Sequence, residues 1–396
     1  MRSELDKGKS STSESKSFKI YPQLLQEEDI KMDLIHVIEL ATIIKDEFGW
    51  NKARCTCFTY FLLGMIVVCT VTLSKISTTF SAKTKLTSRQ KRLKRFLVWL
   101  APQNGFTLLF GKFVLKRLKG RKLTLSIDRT NWKFGASHIN FLVVGVWYCG
   151  VSIPIYWVNL GAAGNSNTKI RILAIKDLLS EVSFKKIEWF LADREFIGEN
   201  WFKYLLEMKI PFSIRIKDNV WLKVRRGKYY TQRKVRDFFS KLKPGKIKTI
   251  NCCELYGCMM NLAGCLSSEG DLVIIATNKK PRKALESYKK RWSIECLFSC
   301  LKGRGFNFED THIVDPKRGD ALLFVLSFSL FWSMQVGAEN TQKVPLEIAK
   351  HGRPRVSIFR RGLDILRESI IQVYHLLEKL LLLIKYIRDP HIEVII

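Results

Sequence analysis

Three acids in this chain stand at positions where a carboxylate could do chemistry. Asp128 closes the apolar run 123–127, and Asp193 closes the run 187–192. A charged carboxylate costs several kcal/mol to bury without a partner. At a strand end such an acid can be a turn or cap residue. If the two strands are neighbours, the carboxylates converge and can hold hard divalent cations through oxygen, as Mg²⁺ prefers. The third acid lies in the segment 288–302, which reads Y-(2)-R-(3)-E-(6)-K. On a helix turning 100° per residue, Tyr288, Arg291, Glu295 and Lys302 fall within an arc of roughly 60°. One face then carries a phenol, a guanidinium, a carboxylate and an ammonium. Trp292, Ile294, Leu297, Phe298 and Leu301 remain for packing.

The elements that must position these groups are legible in the periodicity. At Leu123 the apolar period becomes two, with Leu123, Leu125 and Ile127 alternating with Thr124, Ser126 and Asp128. Residues 139–160, rich in Val, Ile, Trp and Tyr and broken at Cys149-Gly150, predict a hairpin of two buried strands. A helix over 168–179, a strand over 187–192, a helix over 199–208 and a strand over 212–216 follow. The order is β-β-β-α-β-α-β from 123 to 216. Residues 217–280 hold short strand-like pieces at 220–224, 247–250 and 272–277 with Gly at turns, a β-rich insertion. Helical patterns return over 281–303 and 320–336, and an amphipathic helix over 363–387 closes the chain.

Charge indicates the partner. Lys and Arg number 67 against 36 Asp and Glu, a net +31, so the protein faces a polyanion and an acidic enzyme is excluded. Hydrophobic residues at 47% and aromatics at 12% exclude global disorder. Ten Cys are too sparse for a disulfide framework, and residues 1–17 are a polar tail without a signal-peptide core. The reduced cytoplasm is the expected compartment, where Cys behaves as a small hydrophobe. Helical periodicity runs over 24–48, and a second helix covers 54–73. Its segment 58–73 has 16 residues without a charge. A spanning helix needs about 20, so a buried core helix and no membrane are expected. From 75 to 121 there are 13 Lys or Arg and no acid. One cluster is Arg89, Lys91, Arg92, Lys94 and Arg95; another is Lys116, Arg117, Lys119 and Arg121. Helices with an apolar face inward and a basic face toward phosphates account for this pattern.

Taken together, Asp128 in SIDRTNW, Asp193 in FLADREFIG and Glu295 in the Y-(2)-R-(3)-E-(6)-K segment resemble the DDE transposases of bacterial insertion sequences, in the branch named for its YREK motif. The run DREF at 193–196, the tract LKGRGFNFEDTH at 301–312 and SIFRRGLDIL at 357–366 are similar to that family too. The resemblance covers about 120–370 and is weaker over the first 75 residues. It implies an α/β fold: a ribonuclease-H-like mixed sheet flanked by helices, with a β-rich insertion and a helical amino-terminal DNA-binding region. The implied division is 1–120 for DNA binding, 121–216 with 281–340 for catalysis, 217–280 for the insertion and 341–396 for a helical region with a possible dimer contact. It also implies a Mg²⁺ or Mn²⁺ site at Asp128, Asp193 and Glu295, with Tyr288, Arg291 and Lys302 on DNA phosphates. The function implied is cut-and-paste transposition on double-stranded DNA by a homodimer at the bacterial nucleoid. The family stacks a flipped base on a Trp, but neither Trp221 nor Trp292 matches a motif position.

The chemistry fits. Phosphodiester hydrolysis needs an activated water and a stabilised leaving oxygen, which two divalent ions roughly 3.5–4 Å apart supply. Arg and Lys neutralise the phosphate charge in the transition state. Other motifs fit less well. Cys252, Cys253, Cys258 and Cys265 lack a C-x-x-C pair, so packing is favoured over zinc. Cys296 and Cys300 read as packing and His312 as a hydrogen-bonding residue. Glu195 would share a side with Asp193 only if the strand ran that far. No phosphate-cradling Gly motif is present. The rival readings are a decayed transposase that only binds DNA, a structure-specific nuclease on the same core, and a membrane-associated protein. The stripe Leu363, Leu366, Ile370, Val373, Leu377 and Leu381 serves either as a dimer contact or as packing on the chain's own core.

Overall fold

The computed structural model describes residues 34–372 apart from 81–83, 104, 162–163, 165 and 351, together with 381 and 383–388. The expected polar tail and the first part of the helix over 24–48 lie outside the described residues, as do Val373 and Leu377. Five helices come first: α1 (Leu34–Phe48), α2 (Lys52–Val68), α3 (Leu73–Thr78), α4 (Leu86–Leu100) and α5 (Phe106–Arg117). Asn51 caps α2 by accepting from the Arg54 amide. The segment expected to be a core helix is one: Phe58, Phe61, Leu62, Leu63, Met65 and Ile66 are all buried.

The central region follows the expected order: β1 (Leu123–Phe134), β2 (Ser137–Tyr148), β3 (Val151–Asn159), α6 (Thr168–Leu179), β4 (Ile187–Ala192), α7 (Glu199–Glu207) and β5 (Phe212–Arg215). The strands lie in the order β3-β2-β1-β4-β5. β1, β2 and β3 are antiparallel, while β1, β4 and β5 run parallel. This is the ribonuclease-H-like arrangement. The insertion contributes β6 (Trp221–Arg226), β7 (Tyr229–Lys234), α8 (Val235–Phe239), β8 (Lys248–Leu255), β9 (Cys258–Leu266) and β10 (Leu272–Thr277). These strands continue the same sheet: β10 pairs antiparallel with β5, and β9, β8, β6 and β7 follow to make ten.

The chain then forms α9 (Pro281–Tyr288), a 3-10 turn at Lys289–Arg291, α10 (Trp292–Leu301), α11 (Pro316–Lys343) and α12 (Ile358–Ile371). The expected single helix over 281–303 is therefore broken at 289–291. α10 ends where Lys302 leaves helical geometry, and the chain then folds back so closely that a side chain at Gly305 would overlap the Cys300 carbonyl. Trp292 was expected to pack inward but is 63% exposed. At 100° per residue it stands roughly 140–200° around the helix from the buried Ile294, Leu297 and Leu301.

α11 is apolar all round, and its most apolar window is wholly buried. Among the described residues it is the one helix long and apolar enough to cross a membrane. α12 crosses it closely. A methyl at Gly337 would overlap the Ile358 carbonyl, and one at Gly362 would overlap that of Ser333. Leu363, Leu366 and Ile370 are buried at that crossing. This corrects the dimer reading of the stripe: its described α12 members belong to the chain's own core, since two helices in backbone contact leave their apolar faces to each other.

The amino-terminal turn of α11 is tied to β3. The Asn159 amide donates to Asp320 Oδ1 at 2.9 Å, and Trp157 Nε1 donates to the Asp320 carbonyl at 3.2 Å. Burial pushes the Asp320 carboxyl up to about 7, the Asn159 hydrogen bond opposes that, and Asp315 adds to it. The unfolded chain loses this proton near 3.8 while the folded one keeps it to about 7, so the native state binds more protons in between. Stability from this group therefore falls as pH rises through that window. Asp320→Asn keeps the acceptor without the charge. It should raise the thermal midpoint at pH 8, by about 1–3 kcal/mol of stability, and leave it unchanged near pH 4. Equal shifts at both pH values would show that ionised Asp320 costs the fold nothing.

Candidate active site

The parallel ladder brings two of the acids together. Its last rung pairs Ile127 with Ala192, so the next residues, Asp128 and Asp193, leave neighbouring strands side by side. The apolar residues before them are almost entirely buried, which fixes the register. β1 continues past Asp128, paired with β2. β4 stops, and Asp193 opens a turn in which the Phe196 amide donates to the Asp193 carbonyl at 2.9 Å. The wholly buried Phe196 ring anchors that turn.

The third acid arrives on α10. Ile294, Leu297 and Leu301 sink into the core, and Ser293 Oγ meets Ser152 Oγ of β3 at 2.7 Å. Arg291 Nη1 then donates to Asp128 Oδ2 at 3.2 Å, and Arg291 Nη2 to Glu295 Oε1 at 2.6 Å. Tyr288 Oη donates to Asp193 Oδ1 at 3.4 Å. Arg291 thus joins Asp128 to Glu295 and Tyr288 holds Asp193, and the Arg291 guanidinium 5.9 Å from the Tyr288 ring centroid brings the two groups into one cluster. Glu295 is the most open of the acids that Arg291 holds, its side chain 40% exposed against 17% for Asp128.

Burial dominates the electrostatics of Asp128 and pushes its carboxyl up to about 6. A hydrogen bond from the Arg129 amide at 2.8 Å and the Arg291 charge oppose the shift, while Glu195 and Asp193 add to it. Burial, with a smaller push from Asp193, raises the Tyr288 phenol; the charges of Arg291 and Arg215 hold it back. Tyr288 is therefore a neutral donor at neutral pH. The cluster offers carboxylate oxygens, the donor type that Mg²⁺ or Mn²⁺ takes. Among the described residues no three His, Cys, Asp or Glu side chains stand as a ready-made metal cluster. The Arg291 guanidinium lies between Asp128 and Glu295, so an ion ligated by both would take its place there.

The other expected site residues lie outside this cluster. Lys302, one residue beyond α10, pairs with Glu309 at 2.7 Å and lies over the Trp132 ring at 5.4 Å. Within α4, Arg89 is turned back onto the Phe80 and Thr84 carbonyls, at 2.9 and 2.8 Å. Arg92 lies over Tyr60, while Lys91, Lys94 and Arg95 face solvent. A cleft of about 450 Å³ opens between Lys94 and Gln90 of α4 and residues 310–315; none of the three acids lines it. His312 packs against the Phe134 ring at 4.8 Å with the two planes tilted by 55°. Glu195, set aside in the sequence, is held by Arg129 at 2.7 Å. Alternation could not find it, because β4 ends at Ala192 and the turn redirects the chain. Its one signal was the DREF run itself.

Asp128 within β1, Asp193 just past the end of β4 and Glu295 on α10 stand together on a ribonuclease-H-like sheet. A family model described as the transposase DDE domain matches residues 119–332, more than half of the chain. The chain belongs to the DDE transposase family, and it is a transposase. Among solved structures it is similar to a piggyBac transposase synaptic complex with hairpin DNA, seen by cryo-EM. The identity is 13%, the match covers 92% of this chain and 85% of that one, and the TM-score is 0.41. No curated protein matches the chain.

The cluster makes a coupling prediction. Arg291→Ala removes the counter-charge of a largely buried carboxylate; removing one partner of a fully buried pair costs about 3–5 kcal/mol, and the 40% exposure of Glu295 places this loss toward or below the lower end. Denaturant unfolding in a chelator at pH 7.5 should show this loss. Asp128→Asn in the Arg291→Ala background should recover at least half of it. Equal effects of Asp128→Asn in both backgrounds would show that the two side chains are not energetically coupled.

Proposed function

We propose that the chain cuts its mobile element at the terminal inverted repeats and joins the freed ends to target DNA, using Asp128, Asp193 and Glu295 with Mg²⁺ or Mn²⁺. The observation that carries this reading is the joining of Asp128 and Glu295 by Arg291, with Asp193 held alongside by Tyr288, in a chain of the DDE transposase family. When bound, the divalent ions supply an activated water and stabilise the leaving oxygen. In cleavage, a water oxygen bonds to phosphorus and the bond to the 3′ oxygen breaks, leaving a 3′ hydroxyl and a 5′ phosphate. In joining, that 3′ oxygen attacks a target phosphodiester, and the target's own 3′ oxygen leaves.

The chain's residues divide the remaining tasks. Asp128 and Asp193, each one residue past the last rung of the β1–β4 ladder, form the sheet side of the site. Glu295, the more open acid, forms the side that faces incoming DNA. Arg291 and Tyr288 turn their donors from the carboxylates to the phosphates of the bound end, and Lys302 adds a charge alongside. Lys91, Lys94 and Arg95 present α4 to the duplex, within a 1–120 region that recognises the repeat; 121–216 with 281–340 catalyse. Excision requires two ends to be held together, which a homodimer accomplishes. Its contact lies elsewhere than the buried α12 stripe. Such a protein works in the bacterial cytoplasm, on the DNA of the nucleoid.

Two measurements test this. Alanine in place of Asp128, Asp193 or Glu295 should each lower cleavage of an end-containing duplex by at least about 100-fold, while DNA affinity is retained or rises. Normal cleavage by any one variant removes that residue from the assignment. Replacing Lys91, Lys94 and Arg95 together by Ala should weaken binding of the full chain to end DNA. It should also flatten the dependence on log salt by up to about 0.9 per lost phosphate contact. An unchanged slope would show that α4 faces no phosphate.

A further inference from the structure

The β1–β4 ladder ends one residue before each aspartate, so no rung sets how far Asp128 stands from Asp193. Across that gap lies an ion pair. Arg129 Nε meets Glu195 Oε1 at 2.7 Å, and Arg129 Nη2 meets Glu195 Oε2 at 2.8 Å, a two-pronged contact. Both side chains are well shielded, 13% and 24% exposed. Arg129 Nη1 also donates to Asn140 Oδ1 at 3.3 Å and to the Gly164 carbonyl at 2.5 Å. The Glu195 turn is pinned next door, where the buried Arg171 guanidinium covers the Phe196 ring at 4.7 Å. Successive strand residues point to opposite faces, so Arg129 backs the sheet behind Asp128 rather than joining the cluster around Arg291.

We propose that Arg129 and Glu195 are positioning residues that set the separation of the Asp128 and Asp193 carboxylates, and through it the site's affinity for divalent cations and its discrimination between Mg²⁺ and Mn²⁺. The inference rests on the reading of those two acids as metal ligands. A guanidinium–carboxylate fork fixes distance and orientation together. It joins the residue after one acid to the residue two beyond the other. Mg²⁺ demands near-ideal octahedral geometry with oxygens at about 2.0–2.1 Å, so it is the ion most sensitive to a slackened gap. The fork also occupies both oxygens of Glu195 and keeps a fourth carboxylate from competing as a ligand.

The test uses the full chain and Mn²⁺ as the probe, with binding followed by electron paramagnetic resonance in the absence of DNA. Glu195→Gln preserves size but loses the charged fork. Mn²⁺ affinity should fall by about 10–100-fold, the usual effect of removing a group that orients a ligand. Cleavage of end DNA should fall further in Mg²⁺ than in Mn²⁺, and affinity for that DNA should be unchanged. The paired reversal, Arg129→Glu with Glu195→Arg, should recover part of the Mn²⁺ affinity that either reversal alone destroys. If Glu195→Gln does not fold, Arg129→Lys keeps the charge without the fork and should show the same weakened Mn²⁺ binding. Wild-type Mn²⁺ affinity and a wild-type Mg²⁺-to-Mn²⁺ ratio in whichever variant folds would overturn the proposal. A wild-type chain that binds no Mn²⁺ would instead overturn the metal reading itself.

Discussion

Three carboxylates brought to one end of a sheet repel one another, and the surrounding structure works against that repulsion. Two unit charges 4 Å apart interact by about 1 kcal/mol in water and about 4 kcal/mol near a protein surface. Arg291 answers it by bridging Asp128 and Glu295. Tyr288 donates to Asp193, and the Arg129 amide donates to Asp128. These contacts do not offset burial fully, because the Asp128 carboxyl still rises to about 6. A site held in this balance favours any further positive charge that reaches it. Divalent cations have that property, and the donors on Arg291 and Tyr288 are of the kind that phosphate oxygens accept.

The position of the acids follows from topology. β1 is flanked by β2 on one side and β4 on the other, and the chain leaves the two sides in different ways. In open sheets with parallel strands, ligands bind beyond the carboxyl ends of the strands where the connections diverge. Asp128 and Asp193 lie at that divergence. Part of this was legible in the sequence, because runs of alternating or continuous apolar residues mark strands; the acid that breaks the run marks the end of β4 at Asp193, but β1 continues past Asp128 to Phe134, because its pairing with β2 carries the strand on. Whether two such strands are neighbours is a long-range fact. It became readable only through the motif spacing that ties both acids to Glu295.

What stayed hidden has a common cause. Amphipathic spacing shows that a face is buried but not what buries it. The stripe at Leu363, Leu366 and Ile370 meets α11 of the same chain because Gly337 and Gly362 let the two backbones touch. Two small residues in distant segments announce nothing until they are paired. Helical arithmetic placed Tyr288, Arg291 and Glu295 together despite the 3-10 turn between α9 and α10, because a break of one turn shifts the rotation little. It failed for Lys302, where the helix has already ended. Net charge was informative about the partner but not about each cation. Arg89 is committed to backbone carbonyls, Arg117 to Glu47 and the Phe113 ring, and Arg171 to Ser166 and Phe196. The surface offered to a polyanion is smaller than the sum suggests.

The long interval between Asp193 and Glu295 raises the question of how 101 residues can intervene without loosening the site. The insertion does not interrupt the sheet; it extends it from the β5 edge and returns to that edge through β10. The return is heavily fastened. Thr277 Oγ1 donates to the Phe212 carbonyl at 2.6 Å, Asn278 Nδ2 to that of Ile210 at 2.8 Å, and Ser213 Oγ to that of Ala284 at 2.9 Å. The chain therefore re-enters α9 from a place set by β5 and β10, and Ala263 of β9 packs with Ala284 and Leu285 of α9. Strands can be added at the outer edge, beyond β7, while α10 is held by β5, β10 and β9 through α9 and by the seating of Ser293 on Ser152 of β3.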